Sequence, residues 1–194
     1  MDTPVGTNGN EFRGLQVVNI VASGVLGTGE IDTDVLAAEI SAEKTVLPGR
    51  VYLKPNKHLP VSMVFRSGSY TIAGASSWGS VLEVAKWLFE TLDEIGVEVI
   101  QEVMLDSILV KYLVVTGELS IELNLAAVVV ALGMENSEYE PEQFPAVIHR
   151  PQSIDCTVLL FSTGKVIITG VQSVQDAYGV YERIVEILKD GALM

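Results

Sequence analysis

The chain has 194 residues, 48% of them hydrophobic, and a formal net charge of -13 at pH 7. This apolar content excludes an intrinsically disordered protein, and the length is enough for one or two domains with a substantial core. No uninterrupted apolar run approaches the ~18 residues of a membrane-spanning helix, and residues 1–10 lack the segments of a signal peptide, so we expect a soluble protein without a membrane partner.

The two halves are predicted to contain the same elements in the same order. The first half reads as a strand, a short helix, a turn-rich segment, three strands and a long helix, at 15–26, 32–40, 47–49, 50–54, 60–65, 69–73 and 77–95. Asp32 or Thr33 is placed to cap the short helix. The second half reads as a strand, a helix, three strands and a helix, at 108–119, 123–132, 146–150, 156–161, 165–169 and 174–189. Short turns join consecutive strands, which must then pair antiparallel, so the fold class is α+β.

A sequence repeat supports this symmetry. Residues 65–74 (FRSGSYTIAG) and 161–170 (FSTGKVIITG) share the pattern Phe-x-x-Gly-x-x-x-Ile-x-Gly, and residues 17–24 match 110–117. Two copies of this size do not make a solenoid, which needs three or more stacked units. The chain is therefore predicted to be an internally duplicated domain.

The strands are apolar on both faces. In Thr157–Phe161, Val158 and Leu160 point to one face, whereas Leu159 and Phe161 point to the other. Because helices cover only one face of such a sheet, the other keeps an apolar surface that needs a partner. A dimer interface or a sandwich remains an equally good explanation.

Enzymatic chemistry finds little support in the sequence. Neither His58 nor His149 has Cys, Asp or Glu at metal-ligand spacing, and no glycine loop precedes a helix in the way that phosphate binding requires. We therefore expect no catalytic residues, no metal and no cofactor. The single cysteine, Cys156, cannot form an internal disulfide and favours a reducing compartment.

Two segments of the second half resemble a known family. Residues 137–150 (SEYEPEQFPAVIHR) and 157–170 (TVLLFSTGKVIITG) resemble the second repeat of the TATA-box-binding protein family, most closely its archaeal members. Residues 18–23 (VNIVAS) resemble the start of the first repeat, which is more diverged. The resemblance implies a pseudo-two-fold saddle, a ten-stranded antiparallel sheet with four helices on its convex face. The implied organisation is a flexible tail at 1–14 and repeats at 15–100 and 101–190.

The resemblance also implies a function. Such a protein is a general transcription initiation factor that binds and bends A·T-rich promoter DNA through the minor groove and recruits transcription factor B and the RNA polymerase machinery. Insertion of apolar wedges between base steps is known of this family and is not worked out from these residues. The implied location is the cytoplasm of an archaeon, at its nucleoid, or the nucleus in a eukaryotic source.

Specific residues are matched by this resemblance. The wedges would be Leu47, Phe65, Phe144 and Phe161, with Pro145 beside the third. Asn19 would donate to base acceptors, and Tyr112 occupies the matching position of the second repeat. The apolar floor would comprise Val21, Val114, Leu159, Ile167 and Thr169, and phosphates would be met by Arg150 and Lys165. The surface for transcription factor B would be Glu138, Tyr139, Glu140, Pro141, Glu142 and Gln143.

Three departures from the family pattern support an alternative. Tyr112 replaces an expected asparagine, Leu47 an aromatic wedge and Ser69 a lysine. Together with the net charge of -13, they are also compatible with a degenerate paralogue without specific DNA binding. That protein would act as an interaction module, or as a homodimer through the concave face when it is free of DNA.

Overall fold

The structure is a computed structural model that describes residues 11–12, 14–27 and 29–194. The chain divides into two compact units, which we call the first-repeat unit (Asn19–Lys111) and the second-repeat unit (Met1–Val18 with Tyr112–Met194). The predicted tail at 1–14 lies mostly outside the described residues. Within it, strand β1 (Glu11–Phe12) pairs with Leu15 and Gln16.

The first-repeat unit is built on five antiparallel strands in the order β3-β4-β5-β6-β2. They are β2 (Leu15–Val25), β3 (Glu43–Leu47), β4 (Arg50–Lys54), β5 (Val61–Phe65) and β6 (Ser69–Ala75). Its helices are α1 (Thr33–Glu39), α2 (Trp78–Glu94) and α3 (Gln101–Asp106). The predicted α+β class and antiparallel pairing are confirmed.

The second-repeat unit repeats this arrangement with the order β7-β11-β10-β9-β8. Its strands are β7 (Leu109–Glu118), β8 (Ser137–Glu138), β9 (Ala146–His149), β10 (Thr157–Phe161) and β11 (Lys165–Thr169). Helix α4 (Leu125–Leu132) follows β7, and α5 (Val174–Asp190) follows β11. None of the helices in the described part of the chain is long and apolar enough to cross a membrane.

Side chains that cap the helix starts explain where several helices begin. The carboxylate of Asp32 accepts hydrogen bonds from the amides of Asp34 and Val35, so Asp32 is the cap of α1 and Thr33 is its buried first residue. Ser77 caps α2 by accepting from the Ser80 amide, and Ser173 caps α5 in the same way. Each cap satisfies an amide that has no partner within the helix.

Strand residues alternate between a buried face, packed in the core with the helices, and a half-exposed face. In β10 and β11 the buried set is Val158, Leu160, Val166 and Ile168. In the first-repeat unit it includes Val51, Leu53, Val64, Tyr70 and Ile72. Cys156 is also buried, and its desolvation raises the pKa of the thiol to about 11. We call the half-exposed face of each unit its open face.

The elements that differ from the expectations drawn from sequence are helix α3 and strands β1, β3 and β8, none of which was predicted. The prediction of four helices was wrong, because the described residues contain a fifth, α3, which buries Met104 and whose carbonyl at Met104 accepts from the Tyr70 hydroxyl at 2.8 Å. Strand β3 was not predicted, and Leu47 of the predicted turn-rich segment at 47–49 is its last residue. Only Pro48 and Gly49 form the turn, with Gly49 at φ 73°, as a type II turn requires.

Candidate functional site

The open face of the second-repeat unit has an apolar floor. Ile167 in β11 lies opposite Leu159 in β10 and Thr116 in β7, and Thr169 lies opposite Val114. These side chains are half-exposed, although none is charged. The register therefore brings together four of the residues predicted for the floor, Val114, Leu159, Ile167 and Thr169, on one accessible surface.

Two phenylalanines stand at the end of this floor. The rings of Phe144 and Phe161 are 6.1 Å apart between centroids and meet edge to face at 67°. Phe161 ends β10, and Phe144 precedes Pro145 at the entry to β9. Phe144 is 36% exposed and Phe161 is half-exposed, so neither ring is ordinary core. The pair forms a projecting aromatic cluster.

The loop before Phe144 is acidic and has internal structure. Residues 138–143 (the acidic loop) expose the carboxylates of Glu138, Glu140 and Glu142. The carbonyl of Glu140 accepts from the amides of Gln143 and Phe144, both at 2.9 Å. One turn therefore fixes the backbone between Glu140 and Phe144. In the first-repeat unit the corresponding connection is only the Pro48–Gly49 turn, which has no acidic counterpart.

A buried histidine supports the base of the acidic loop. His149 at the end of β9 is 6% exposed, and its Nδ1 lies 2.9 Å from the Ser137 hydroxyl in β8. Burial lowers the pKa of His149, although the backbone of Asn136 and the charge of Glu135 act in the opposite direction. A neutral imidazole thus ties together the two strands that flank the loop.

The two predicted phosphate-binding cations lie beside carboxylates. Arg150 follows β9 and donates to Oε1 of Glu138 at 2.8 Å. Lys165 begins β11, where the register places it opposite Glu118 in β7. All four side chains are exposed. Arg150 and Glu138 were predicted to belong to different binding surfaces, yet the structure joins them.

In the first-repeat unit, Asn19 supports the backbone of its neighbouring strand. Its Oδ1 accepts from the amide of Gly74 at 2.9 Å, where Gly74 (φ 91°) interrupts the pairing of β6 with β2. That bond fixes the side-chain amide, whose two Nδ2 donors have no acceptor among the described residues. Tyr112 holds the matching position in the second repeat and is 40% exposed.

The other residues predicted for the first repeat differ in exposure, and an arginine that was not predicted lies between two of them. Val21 lies opposite Ala73 but is almost fully buried, in contrast to the half-exposed Val114. Leu47 lies opposite Arg50, and Arg50 in turn lies opposite Phe65. An arginine therefore separates the two predicted wedges.

Sequence reasoning missed three residues of this open face: Arg50, Tyr52 and Met63. Their strand register matches them with Ala146, Ile148 and Leu159 of the second repeat. The signal was available, because β4 and β5 align with β9 and β10 without a gap once residue 65 is matched to residue 161.

Comparisons with known proteins identify the family of this chain. Residues 107–191 match the family model described as "Transcription factor TFIID (or TATA-binding protein, TBP)". The TATA-box-binding protein of Archaeoglobus fulgidus is 36% identical over 183 residues, covering 93% of this chain and 97% of that protein. The chain belongs to the TATA-box-binding protein family. Its family members are DNA-binding transcription factors and not enzymes.

Further comparisons extend the likeness to the fold. The TATA-box-binding protein of Haloarcula marismortui is 33% identical over 183 residues, covering 93% of this chain and 96% of that protein. The solved structure of Methanococcus jannaschii TBP matches with a TM-score of 0.81 at 30% identity, covering 91% of this chain and 98% of that one. The TATA-binding-protein-like α+β fold expected from the sequence is confirmed, as is the likeness to archaeal members. Within the described residues, no group of three or more His, Cys, Asp or Glu side chains is arranged to hold a metal ion.

Proposed function

We propose that this chain binds A·T-rich promoter DNA in the minor groove through its open faces, bends it, and recruits transcription factor B through the acidic loop. The observation that carries the proposal is the half-exposed pair of Phe144 and Phe161 beside an uncharged floor. Apolar wedges of this kind insert between base steps in this family. Packing in the core of the unit does not explain this pair, because both rings are partly exposed.

The Asn19 amide supports a preference for A·T pairs. Adenine N3 and thymine O2 are acceptors in the minor groove, whereas a G·C pair adds a donor there. Because Oδ1 of Asn19 accepts from the Gly74 amide, its Nδ2 N–H groups are the donors of this side chain that have no acceptor among the described residues. The group left free is thus the one that complements an A·T pair. Tyr112, at the matching position, has a bulkier side chain, so the two repeats would contact the bases differently.

The acidic loop supports recruitment of a protein partner. Its carboxylates are exposed beside the wedge pair. They repel phosphate groups, which are also negative, so they do not contribute to DNA binding. A basic surface on a partner that binds next to DNA would complement both the loop and the adjacent duplex. Transcription factor B is the partner implied by the resemblance of residues 138–143 to the family's second repeat.

A binding titration tests the DNA proposal. The full chain is titrated against an A·T-rich duplex and a G·C-rich duplex of the same length at several salt concentrations. We expect tighter binding to the A·T-rich duplex, with an affinity that varies with salt because phosphate contacts release counterions. Binding no tighter than to the G·C-rich control at any salt concentration would refute it.

A ternary-complex assay tests the partner proposal. Transcription factor B is added to the preformed complex with the A·T-rich duplex, and a slower-migrating species is expected. Glu142→Arg should abolish that species without weakening the binary complex. Glu90→Arg in α2, an exposed residue of the first-repeat unit, makes the same charge change and should leave the ternary species intact.

A second candidate function is a protein-interaction module or homodimer without specific DNA binding. The observation that favours it is the pairing of exposed cations with carboxylates: Arg150 with Glu138, Arg66 with Glu30 and Arg183 with Glu186. Such pairing reduces the positive charge available for phosphates in a chain of net charge -13. Light scattering separates the two, because a DNA-free monomer at micromolar concentration contradicts a homodimer that covers the open faces.

A further inference from the structure

Arg50 occupies a position on the first-repeat open face where the second repeat has a small apolar residue. The register pairs Arg50 with Phe65, just as it pairs Ala146 with Phe161. Ala146 is 1% exposed, whereas Arg50 is exposed. The chain therefore carries a charged side chain at the wedge end of one repeat only. We propose that Arg50 is a DNA-contacting residue of the first repeat that donates to the duplex beside the Phe65 wedge. This inference rests on the DNA binding proposed above.

The cross-strand neighbours of Arg50 do not neutralise its positive charge. Leu47 lies on one side of it and Phe65 on the other, and both are uncharged. The guanidinium carbon is 5.8 Å from the ring centroid of Tyr52, a cation–π distance. No carboxylate of the described residues lies within ion-pair distance of Arg50, in contrast to Arg66, Arg150 and Arg183. The N–H groups of the stacked guanidinium are therefore free to donate.

The shape of arginine suits this position. A planar guanidinium presents up to five donors in a rigid fork and stacks on aromatic rings, which a lysine does not do in the same way. The acceptors within reach of a residue beside a wedge are base edges on the groove floor and phosphate oxygens at its rim. Arg50 thus adds a polar contact to the repeat whose other wedge is Leu47 in place of an aromatic residue.

The strand also carries a second cation in a matched position. Lys54 on the open face of β4 corresponds to Arg150 after β9, but its cross-strand neighbour in β3 is Glu43. Of the two cations on this face of β4, Arg50 is the one whose cross-strand neighbours are both apolar. Arg50 therefore places a positive charge without a carboxylate partner at the wedge end of the first repeat.

The test compares Arg50→Ala with Arg183→Ala in the full chain. Both variants remove one positive charge, but Arg183 lies on α5 and pairs with Glu186 at 3.0 Å. Affinity for the A·T-rich and G·C-rich duplexes is measured across a salt series. We expect Arg50→Ala to bind the A·T-rich duplex about tenfold more weakly, the loss expected for one hydrogen bond to a charged group. Arg183→Ala should stay within about twofold of the parent, because exposed charges farther than ~8–10 Å from phosphate are screened at these salt concentrations.

Arg50→Lys identifies the DNA group that is contacted. If Arg50→Ala loses the same affinity for both duplexes, has a salt slope smaller by about one, and Arg50→Lys recovers the affinity, then Arg50 contacts a phosphate. If affinity is lost only for the A·T-rich duplex and Arg50→Lys does not recover it, then Arg50 contacts base edges. Either result supports the inference.

Two results would overturn it. If Arg50→Ala binds as the parent does while the parent prefers A·T-rich DNA, Arg50 is not a contact and the proposed function stands. If the parent itself shows no preference, the proposed function fails and this inference fails with it. Thermal melts establish that the variants are folded, and Arg50→Met, which keeps the aliphatic stem against Tyr52, gives the same comparison if the alanine variant is less stable.

Discussion

Arg150 and Glu138 form an ion pair across β8 and β9, with Nη1 of the arginine 2.8 Å from Oε1 of the glutamate. Both side chains are more than half exposed, at 54% and 66%. An exposed pair of this kind contributes only about 0.2–1 kcal/mol to stability. A phosphate can therefore compete with Glu138 for Arg150 at low cost, and the glutamate that is released lies at the start of the acidic loop. The pair links the proposed DNA surface to the proposed partner surface.

Replacing Glu138 should strengthen DNA binding. Glu138→Gln removes the carboxylate that holds Arg150 and one negative charge near the duplex, so we expect an affinity about threefold higher in a titration at physiological salt. The gain should be smaller in an Arg150→Ala background, because the part that comes from releasing Arg150 is then lost.

Glu186→Gln is the matched control for this prediction. Glu186 pairs with Arg183 at 3.0 Å with similar exposure, so its replacement makes the same change in net charge on α5. If Glu186→Gln strengthens binding as much as Glu138→Gln does, the effect is one of overall charge, and Arg150 is not limited by its partner.

The two repeats should contribute unequally to bending. Phe161 belongs to an aromatic pair, whereas Leu47 is paired with Arg50. Burial of a phenylalanine side chain is worth about 1.5–3 kcal/mol, so Phe161→Ala should cost at least about tenfold in affinity and should reduce the bend. Leu47→Ala should cost less, about threefold. An energy-transfer probe on one duplex reports the bend of both variants.

Equal losses in Phe161→Ala and Leu47→Ala would contradict this asymmetry. Val130→Ala, an exposed apolar residue of α4, controls for effects unrelated to the open face and should leave binding and bending unchanged.

Local sequence predicted most of the elements but little of the detail of the site. The turns that contain Gly68 and Gly164 marked the ends of the neighbouring strands, and Asp32 indicated the start of α1. Strand β3 was missed because its residues are all exposed and lack a buried alternation. Helix α3 was missed because it is short and has no side-chain cap.

Contacts that depend on register could not be read from spacing alone. The Arg150–Glu138 pair joins the residue after β9 to the last residue of β8, and the position of Arg50 between Leu47 and Phe65 follows from two successive hairpins. Each needs the pairing partner of a strand to be known, and a shift of one residue would turn these side chains to the other face. The proposed roles of the site residues remain predictions.

Asn19→Asp separates a structural role of Asn19 from a role in binding. The carboxylate can still accept from the Gly74 amide, so we expect a melting temperature within a few degrees of the parent. The Nδ2 donors are lost and a negative charge faces the duplex, so affinity for A·T-rich DNA should fall by about tenfold or more. Gel-shift titration and thermal melts measure the two effects.

Asn124→Asp is the control for this substitution. Its Oδ1 accepts from the Ala127 amide at the start of α4, so the same chemical change is made away from the open face. If both variants bind DNA equally well, Asn19 does not contact the bases.

The stability of the protein should decrease as the pH falls below about 6.5, and His149 should be one cause. Burial lowers the pKa of His149, so in the folded chain it stays neutral where the unfolded chain, with an ordinary pKa of about 6.5, binds a proton. Stability is then complete above that pH and is lost as the pH falls towards the lower folded pKa, by up to about 1.4 kcal/mol for each pKa unit of difference.

Denaturant unfolding at pH 7.5, 6.5 and 5.5 should show a smaller loss of stability in His149→Gln than in the parent. His58→Gln, at an exposed loop position, should keep the parent's dependence, and an unchanged loss in His149→Gln would assign the effect to other groups.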